Sequence, residues 1–184
     1  MSKKVKISIQ GNEFLIPSES IQECSYDKVT YVHMRAKLVA SIIKQFVKKN
    51  YPQLKVWGSS DVYSGGSSVR VEVCNSDGSK VDSSVFDKIS EWKHILQGGN
   101  FNGMIDMYEY REDSPTTDNG TPMKYFPSYV FIDNKPKWGT VEYWLNEWNE
   151  NKKYFKDLSE FLTKNKTYMT DKEFANVKQN LTII

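Results

Sequence analysis

Histidine and cysteine are nearly missing from this chain, with two of each in 184 residues. His33 and His94 stand in no metal-ligand spacing and beside no nucleophile motif, which argues against histidine acid-base catalysis. Zincin, Ser-His hydrolase and Cys-His protease chemistry are thereby set aside. Cys24 and Cys74 supply neither a disulfide framework nor four ligands at paired spacing, so reduced cytosolic thiols are expected. No apolar run approaches the roughly eighteen residues of a membrane span, and no N-terminal apolar h-region is present. The expectation is a cytoplasmic protein with no membrane contact. Internal repeats and low-complexity segments are also lacking, and the net charge is only +2.

What remains is a soluble, globular composition: 39% hydrophobic, 26% charged and 14% aromatic residues. The length suits one well-buried core and is too short for two large domains. Charge is unevenly spread. From Lys28 to Lys55 there are seven basic residues and no acidic one, including Lys37, Lys44 and Lys48 on one helical stripe. From Asp106 to Asp118 five acidic residues face Arg111 alone. Such polarity suits an electrostatically selected macromolecular partner, although a charge run is more often a solvated face.

Val5, Ile7 and Ile9 alternate as in a half-buried strand, and Phe14 to Ile16 are expected to pair with them across Gly11-Asn12. An amphipathic helix is expected over about 28–50, with a basic outer face and Pro52 as its stop. A strand around Leu54 and Val56, a turn at Ser64–Ser68 and a strand over Ser68–Asn75 follow. A helix capped by Asp82 or Ser83 runs to about Leu96, then a strand over Met104–Tyr110, an exposed mobile loop over Glu112–Pro122, and a strand over Ser128–Ile132. Thr140 opens a long helix with an aromatic stripe, and Thr170-Asp171-Lys172-Glu173 is a capping box for another.

Two stretches carry the chemistry. Tyr63-Ser64-Gly65-Gly66-Ser67-Ser68-Val69-Arg70-Val71-Glu72-Val73 is a polar Gly-Gly loop running into an alternating strand, and Gly103–Glu112 is a second alternating run rich in carboxylates and tyrosines. The loop lacks the Gly-Lys-Ser/Thr ending and following helix of a nucleotide-binding loop. If both strands lie in one sheet, Arg70, Glu72, Asp106, Tyr108 and Tyr110 form one polar face. Three readings are open. The bland one is an Arg-carboxylate ladder with Gly65-Gly66 as a hairpin turn. A second is nucleic-acid recognition by tyrosines and Arg70. The third is metal-dependent phosphodiester cleavage, with Glu72 and Asp106 as candidate catalytic ligands of Mg²⁺.

The order of these motifs, from the basic helix ending at Tyr51-Pro52 through Tyr63–Val73, Asp77-Gly78 and Phe101–Tyr110, resembles a large polyvalent protein-associated domain over roughly 28–133. Such domains occur in multidomain proteins of phages and conjugative elements, which implies a mobile-element protein that assists against host defences. A small free-standing protein of that kind is similar to phage inhibitors of CRISPR nucleases. The resemblance therefore implies a counter-defence protein, most specifically an anti-CRISPR-like inhibitor that binds a type II RNA-guided effector or its guide RNA. Its alternatives are a nuclease-like factor that truncates guide RNA or DNA, and a single-stranded nucleic-acid binding module. Inhibition by binding is the favoured form, with no cofactor, no assigned metal site, and Mg²⁺ only for a nuclease.

The expected architecture is α+β: a mixed or antiparallel sheet of about five strands, two helices on one face, and a C-terminal helical region. The expected division is 1–137 and 138–184, the second packed on the first. Expected binding residues are Tyr63, Ser64, Gly65, Gly66, Ser67, Ser68, Arg70, Asp106, Tyr108, Tyr110 and Arg111, with Lys37, Lys44 and Lys48 as a basic face.

Overall fold

Valines at every second position set the middle of the molecule: Val69, Val71 and Val73 are fully buried, so the strand carrying them has one face sealed by helices. In the computed structural model, which describes residues 3–181, this strand is β6, Gly66–Cys74. It lies between β5, Lys55–Tyr63, and β10, Tyr129–Asn134, in the order β10-β6-β5. The β5–β6 pair is antiparallel, while β10 runs parallel to β6 with Tyr129, Phe131 and Asp133 opposite Ser68, Arg70 and Glu72.

The other strands form small sheets of their own. β1, Lys4–Ile9, and β2, Asn12–Pro17, make the expected hairpin, but its turn falls at Gln10-Gly11 and Asn12 already pairs with Ile9. β3, Ile21–Glu23, and β4, Thr30–His33, join β9, Met123–Lys124, in the order β3-β4-β9. β7, Gly99–Asn102, pairs with β8, Met107–Tyr110. The class is α+β, with the strands divided among four sheets of two or three strands.

α1, Ala36–Asn50, begins eight residues later than 28, because Thr30–His33 is occupied as β4. It buries Leu38, Val39, Ile42, Ile43, Phe46 and Val47, and it packs on β5 and β6. Gln45 substitutes for a missing strand partner: its side chain accepts from Leu15 N at 2.9 Å and donates to Leu15 O at 3.0 Å, closing the edge of β2. α2, Ser83–Leu96, is capped by Asp82, whose side chain accepts from Ser84 N, and buries Ile89, Trp92 and Leu96. Both helices cover the same side of the central sheet, and their side chains merge with its valines in one apolar cluster.

The long C-terminal helix breaks into two, because the chain leaves helical geometry between Tyr154 and Leu158. α3, Val141–Asn151, α4, Leu158–Asn165, and α5, Asp171–Leu181, surround a second apolar cluster of Trp144, Leu145, Phe161, Leu162 and Val177. Thr170 and Glu173 form the expected capping box, with Thr170 N donating to Glu173 Oε2 at 2.8 Å. Residues 182–184 of the expected C-terminal region lie outside the described part. Contact with the central sheet comes through the start of α3, where Glu142 pairs with Lys55 at 3.6 Å. Gly78, at φ +84°, leaves no room for a Cβ against the Glu142 backbone. No helix among the described residues is long and apolar enough to cross a membrane.

Candidate functional site

Alternation fixes the composition of the sheet face that α1 and α2 leave uncovered. Ser59, Asp61 and Tyr63 of β5, Ser68, Arg70 and Glu72 of β6, and Tyr129, Phe131 and Asp133 of β10 all point away from the valine side. One end of this face is closed by the C-terminal helices: Cys74 is fully buried, and burial first, with Glu142 nearby, pushes its thiol up to about 12. The other end is open and aromatic.

There the β7–β8 hairpin leans its tyrosines onto β10. Tyr110 and Tyr108 have ring centroids 5.0 Å apart, Tyr108 and Tyr129 5.5 Å, and Tyr129 and Phe131 6.1 Å with planes only 17° apart. The Arg70 guanidinium continues the series 5.5 Å above the Phe131 ring, and it pairs with Asp133 at 3.6 Å. Four rings and a cation thus form one continuous ladder across two sheets. Tyr108 anchors it, donating its hydroxyl to Ser128 O at 2.5 Å. Burial first, then the Tyr129, Tyr110 and Tyr63 phenols, push Tyr108 up to about 12, so it remains a donor at any physiological pH.

A cleft of about 530 Å³ opens at the Tyr110 end of the ladder. Gly65, Gly66 and Ser67 of the β5–β6 turn line it together with Tyr110, Arg111, Ser114 and Lys124 to Phe126. Gly65, at φ +91°, is the second central residue of a tight turn, so the Gly-Gly stretch is a hairpin turn and not a phosphate cradle. Tyr125 holds a left-handed backbone at φ +60°, unusual for a bulky residue. Its ring packs 4.9 Å from His33 and 5.6 Å from Tyr31.

Several expected site residues have other tasks. Arg111 donates to both Asp113 oxygens at 2.6 and 2.7 Å, and to the Ile95 and Gln97 carbonyls at 2.9 and 3.1 Å, while covering Phe126. With those donors occupied it is a clasp between α2 and the following loop. The acidic segment is likewise largely engaged. Asp113 is held below the usual carboxylate range by Arg111, and Asp118 by hydrogen bonds from the Ser8 hydroxyl and Gly11 N. Glu109 accepts from Asn102 Nδ2 at 2.7 Å. The loop over 112–122, expected to be exposed and mobile, is tied down through Asp118 and the buried Thr117.

Glu72 and Asp106 do not share a sheet. Asp106 sits in the four-residue turn between β7 and β8 at φ +52°, outside the pleat that the alternating pattern implied. The cross-strand neighbours of Glu72 are Asp133 and Trp57. No group of three or more His, Cys, Asp or Glu residues is arranged to hold a metal ion among the described residues. The basic stripe is separate too. α1 packs on the valine side of the sheet, so Lys37, Lys44 and Lys48 lie on the side opposite the ladder, and the Lys44 stem lies close over Gly58.

Sequence reasoning missed Tyr129, Phe131, Lys124, Tyr125 and Gln97. The first two alternate within the expected strand over Ser128–Ile132, and that spacing was the available signal. Gln97 is buried, accepts from Val130 N at 2.9 Å and donates to Gly99 O, fastening the β7–β8 hairpin to the edge of β10. Nothing in its local sequence marks it.

Residues 34–136 match the family described as Large polyvalent protein associated domain 29, more than half of the chain. The protein belongs to this family. The matched span holds α1, the central sheet, the ladder and the cleft, while α3 to α5 lie outside it. No curated protein and no solved structure matches the chain.

Proposed function

We propose that this is a mobile-element counter-defence protein that works by binding, and that the ladder face takes single-stranded nucleic acid, the guide or an unpaired strand held by a type II RNA-guided effector. The ladder of Tyr110, Tyr108, Tyr129, Phe131 and Arg70 carries this reading. Exposed rings on a sheet accept bases by stacking, worth roughly 1–3 kcal/mol per base. Asp61 and Glu72 on the same face repel phosphates and accept hydrogen bonds from exocyclic amino groups, which turns the bases inward and the backbone outward. Membership of a family found in phage and conjugative-element proteins supports the counter-defence setting.

Fluorescence anisotropy with a labelled single-stranded oligonucleotide tests the binding. Phe131→Ala and Tyr129→Ala each weaken it about tenfold while the fold persists. With Arg70 and Lys124 as the cations beside the face, the salt slope of log K is shallow, about −1 to −1.5. No binding at low salt removes the proposal. Incubation with a guide-loaded effector and Mg²⁺ then separates mechanisms: a binder abolishes target cleavage at stoichiometric amounts and leaves guide RNA intact, whereas shortened guide RNA favours a nuclease.

A second reading rests on the β7–β8 turn and the first residue of β8, where Met104 is 94% exposed and Ile105 and Met107 are 56% and 61% exposed. Apolar side chains of this kind suit docking on the effector protein. If so, Met104→Asp with Ile105→Asp abolishes inhibition and leaves oligonucleotide affinity unchanged.

A further inference from the structure

The ladder does not run off into solvent at its Tyr110 end; it meets the 530 Å³ cleft, a volume within the roughly 300–1,000 Å³ range of small-molecule sites. Tyr110 belongs to both, and Ser128, which receives the Tyr108 hydroxyl bond through its carbonyl, lines the cleft beside it. Beside the Arg111–Asp113 pair, the lining offers groups that a nucleotide can use. It has aromatic surface in Tyr110 and Tyr125, a cation in Lys124, and the hydroxyls of Ser67, Ser114 and Ser128, which make no side-chain hydrogen bonds among the described residues. The left-handed backbone of Tyr125 is the kind of local strain that surrounding structure must maintain, and it falls in this wall. The rest of the wall is preformed, because Met34 N donates to Lys124 O at 2.8 Å and Arg111 is clasped over the Phe126 ring.

We propose that the cleft receives the terminal nucleotide of a single strand whose preceding bases stack along the ladder, so that the protein recognises strand ends. This rests on the reading of the ladder as a nucleic-acid surface. A base enters beside Tyr110, and the terminal hydroxyl or phosphate meets the serine hydroxyls and Lys124. A strand without an end can lie on the rings but cannot thread a nucleotide into the cleft.

The test uses the full chain and two oligothymidylates of equal length, internally labelled, one linear and one ligated into a circle. The linear form binds about tenfold more tightly, as one added stacked and hydrogen-bonded nucleotide implies. Ser114→Phe, an exposed position with no side-chain hydrogen bond among the described residues, fills the cleft and lowers linear affinity to the circular value while leaving the circular value unchanged. Phe131→Ala weakens both forms alike. Equal affinity of linear and circular strands, with Ser114→Phe indifferent, overturns end recognition and leaves the ladder proposal standing. Failure of both strands to bind overturns the two together. Displacement of the linear strand by thymidine monophosphate at equal concentration also overturns the inference, since it would make the cleft a site for a free nucleotide.

Discussion

The two faces of the central sheet are built from the same three strands and have opposite destinies. On one, Val69, Val71, Val73 and Val130 are sealed under α1 and α2 with no exposure at all. On the other, Tyr129, Phe131, Arg70 and Ser59 remain partly or fully accessible, and only the Cys74 end is covered by the C-terminal helices. The difference teaches that a buried face and a ring-bearing accessible face are separated by a single pleat. Residues one position apart in β10 and β6 meet different surroundings: close packing under the helices on one side, ring contacts and solvent on the other.

The sharpest way to break this comparison is to damage the sealed face. Ile43→Ala in α1 removes a fully buried side chain from the cluster over the valines and costs about 2–5 kcal/mol in urea unfolding. Phe131→Ala on the open face costs less than about 1 kcal/mol by the same measurement, since its ring is 42% exposed, yet it takes most of the oligonucleotide affinity. Near-equal stability losses would show the open face to be core.

Gln97→Leu comes next, because it unfastens the hairpin that brings Tyr108 to β10. Leaving Val130 N without its acceptor costs about 1–3 kcal/mol in urea unfolding, and the ring contacts of Tyr108 with Tyr129 loosen with it. A smaller effect is expected at the covered end. Gly78→Ala strains a left-handed backbone and collides with the Glu142 backbone, so α3 shifts away and Cys74 becomes reactive to a thiol reagent that leaves it untouched in the parent protein. Continued protection of Cys74 would mean that the burial does not depend on that contact.

The smallest effect is titrational. The phenol of Tyr108 is raised in the folded protein above its ordinary value near 10, so its neutral form is favoured by folding. The associated stability is complete below about pH 10 and is lost as pH rises through about 12. Tyrosinate absorbance therefore carries a late component near 12, and Tyr108→Phe removes that component with a stability loss of about 1 kcal/mol from the bond to Ser128 O.

Much of this was legible from local pattern. The β1–β2 hairpin, α2 with its Asp82 cap, the capping box at Thr170 and Glu173, and the in-and-out alternation around Arg70 are all set by neighbours within a few residues. The two motifs do converge, since Gly65, Gly66, Ser67 and Tyr110 line one cleft. Arg111 and Asp118 illustrate what was not legible. Each carries a charge that looks available in sequence, and each is held by a partner that only folding supplies, the carbonyls of Ile95 and Gln97 for one and Ser8 and Gly11 for the other.

By itself, the sequence determined that this chain is α+β, which strand faces are apolar, where α2, α3 and α5 are capped, and to which family it belongs. Only the tertiary structure decided that β10 lies parallel beside β6, that Tyr108 meets Tyr129 across two sheets, and that Glu72 neighbours Asp133 and not Asp106. The reason is physical. Periodicity and capping depend on bonds and side chains a turn or a pleat away, whereas strand order, ring contacts and the pairing of charges depend on segments tens of residues apart whose docking is governed by the packing of the whole core.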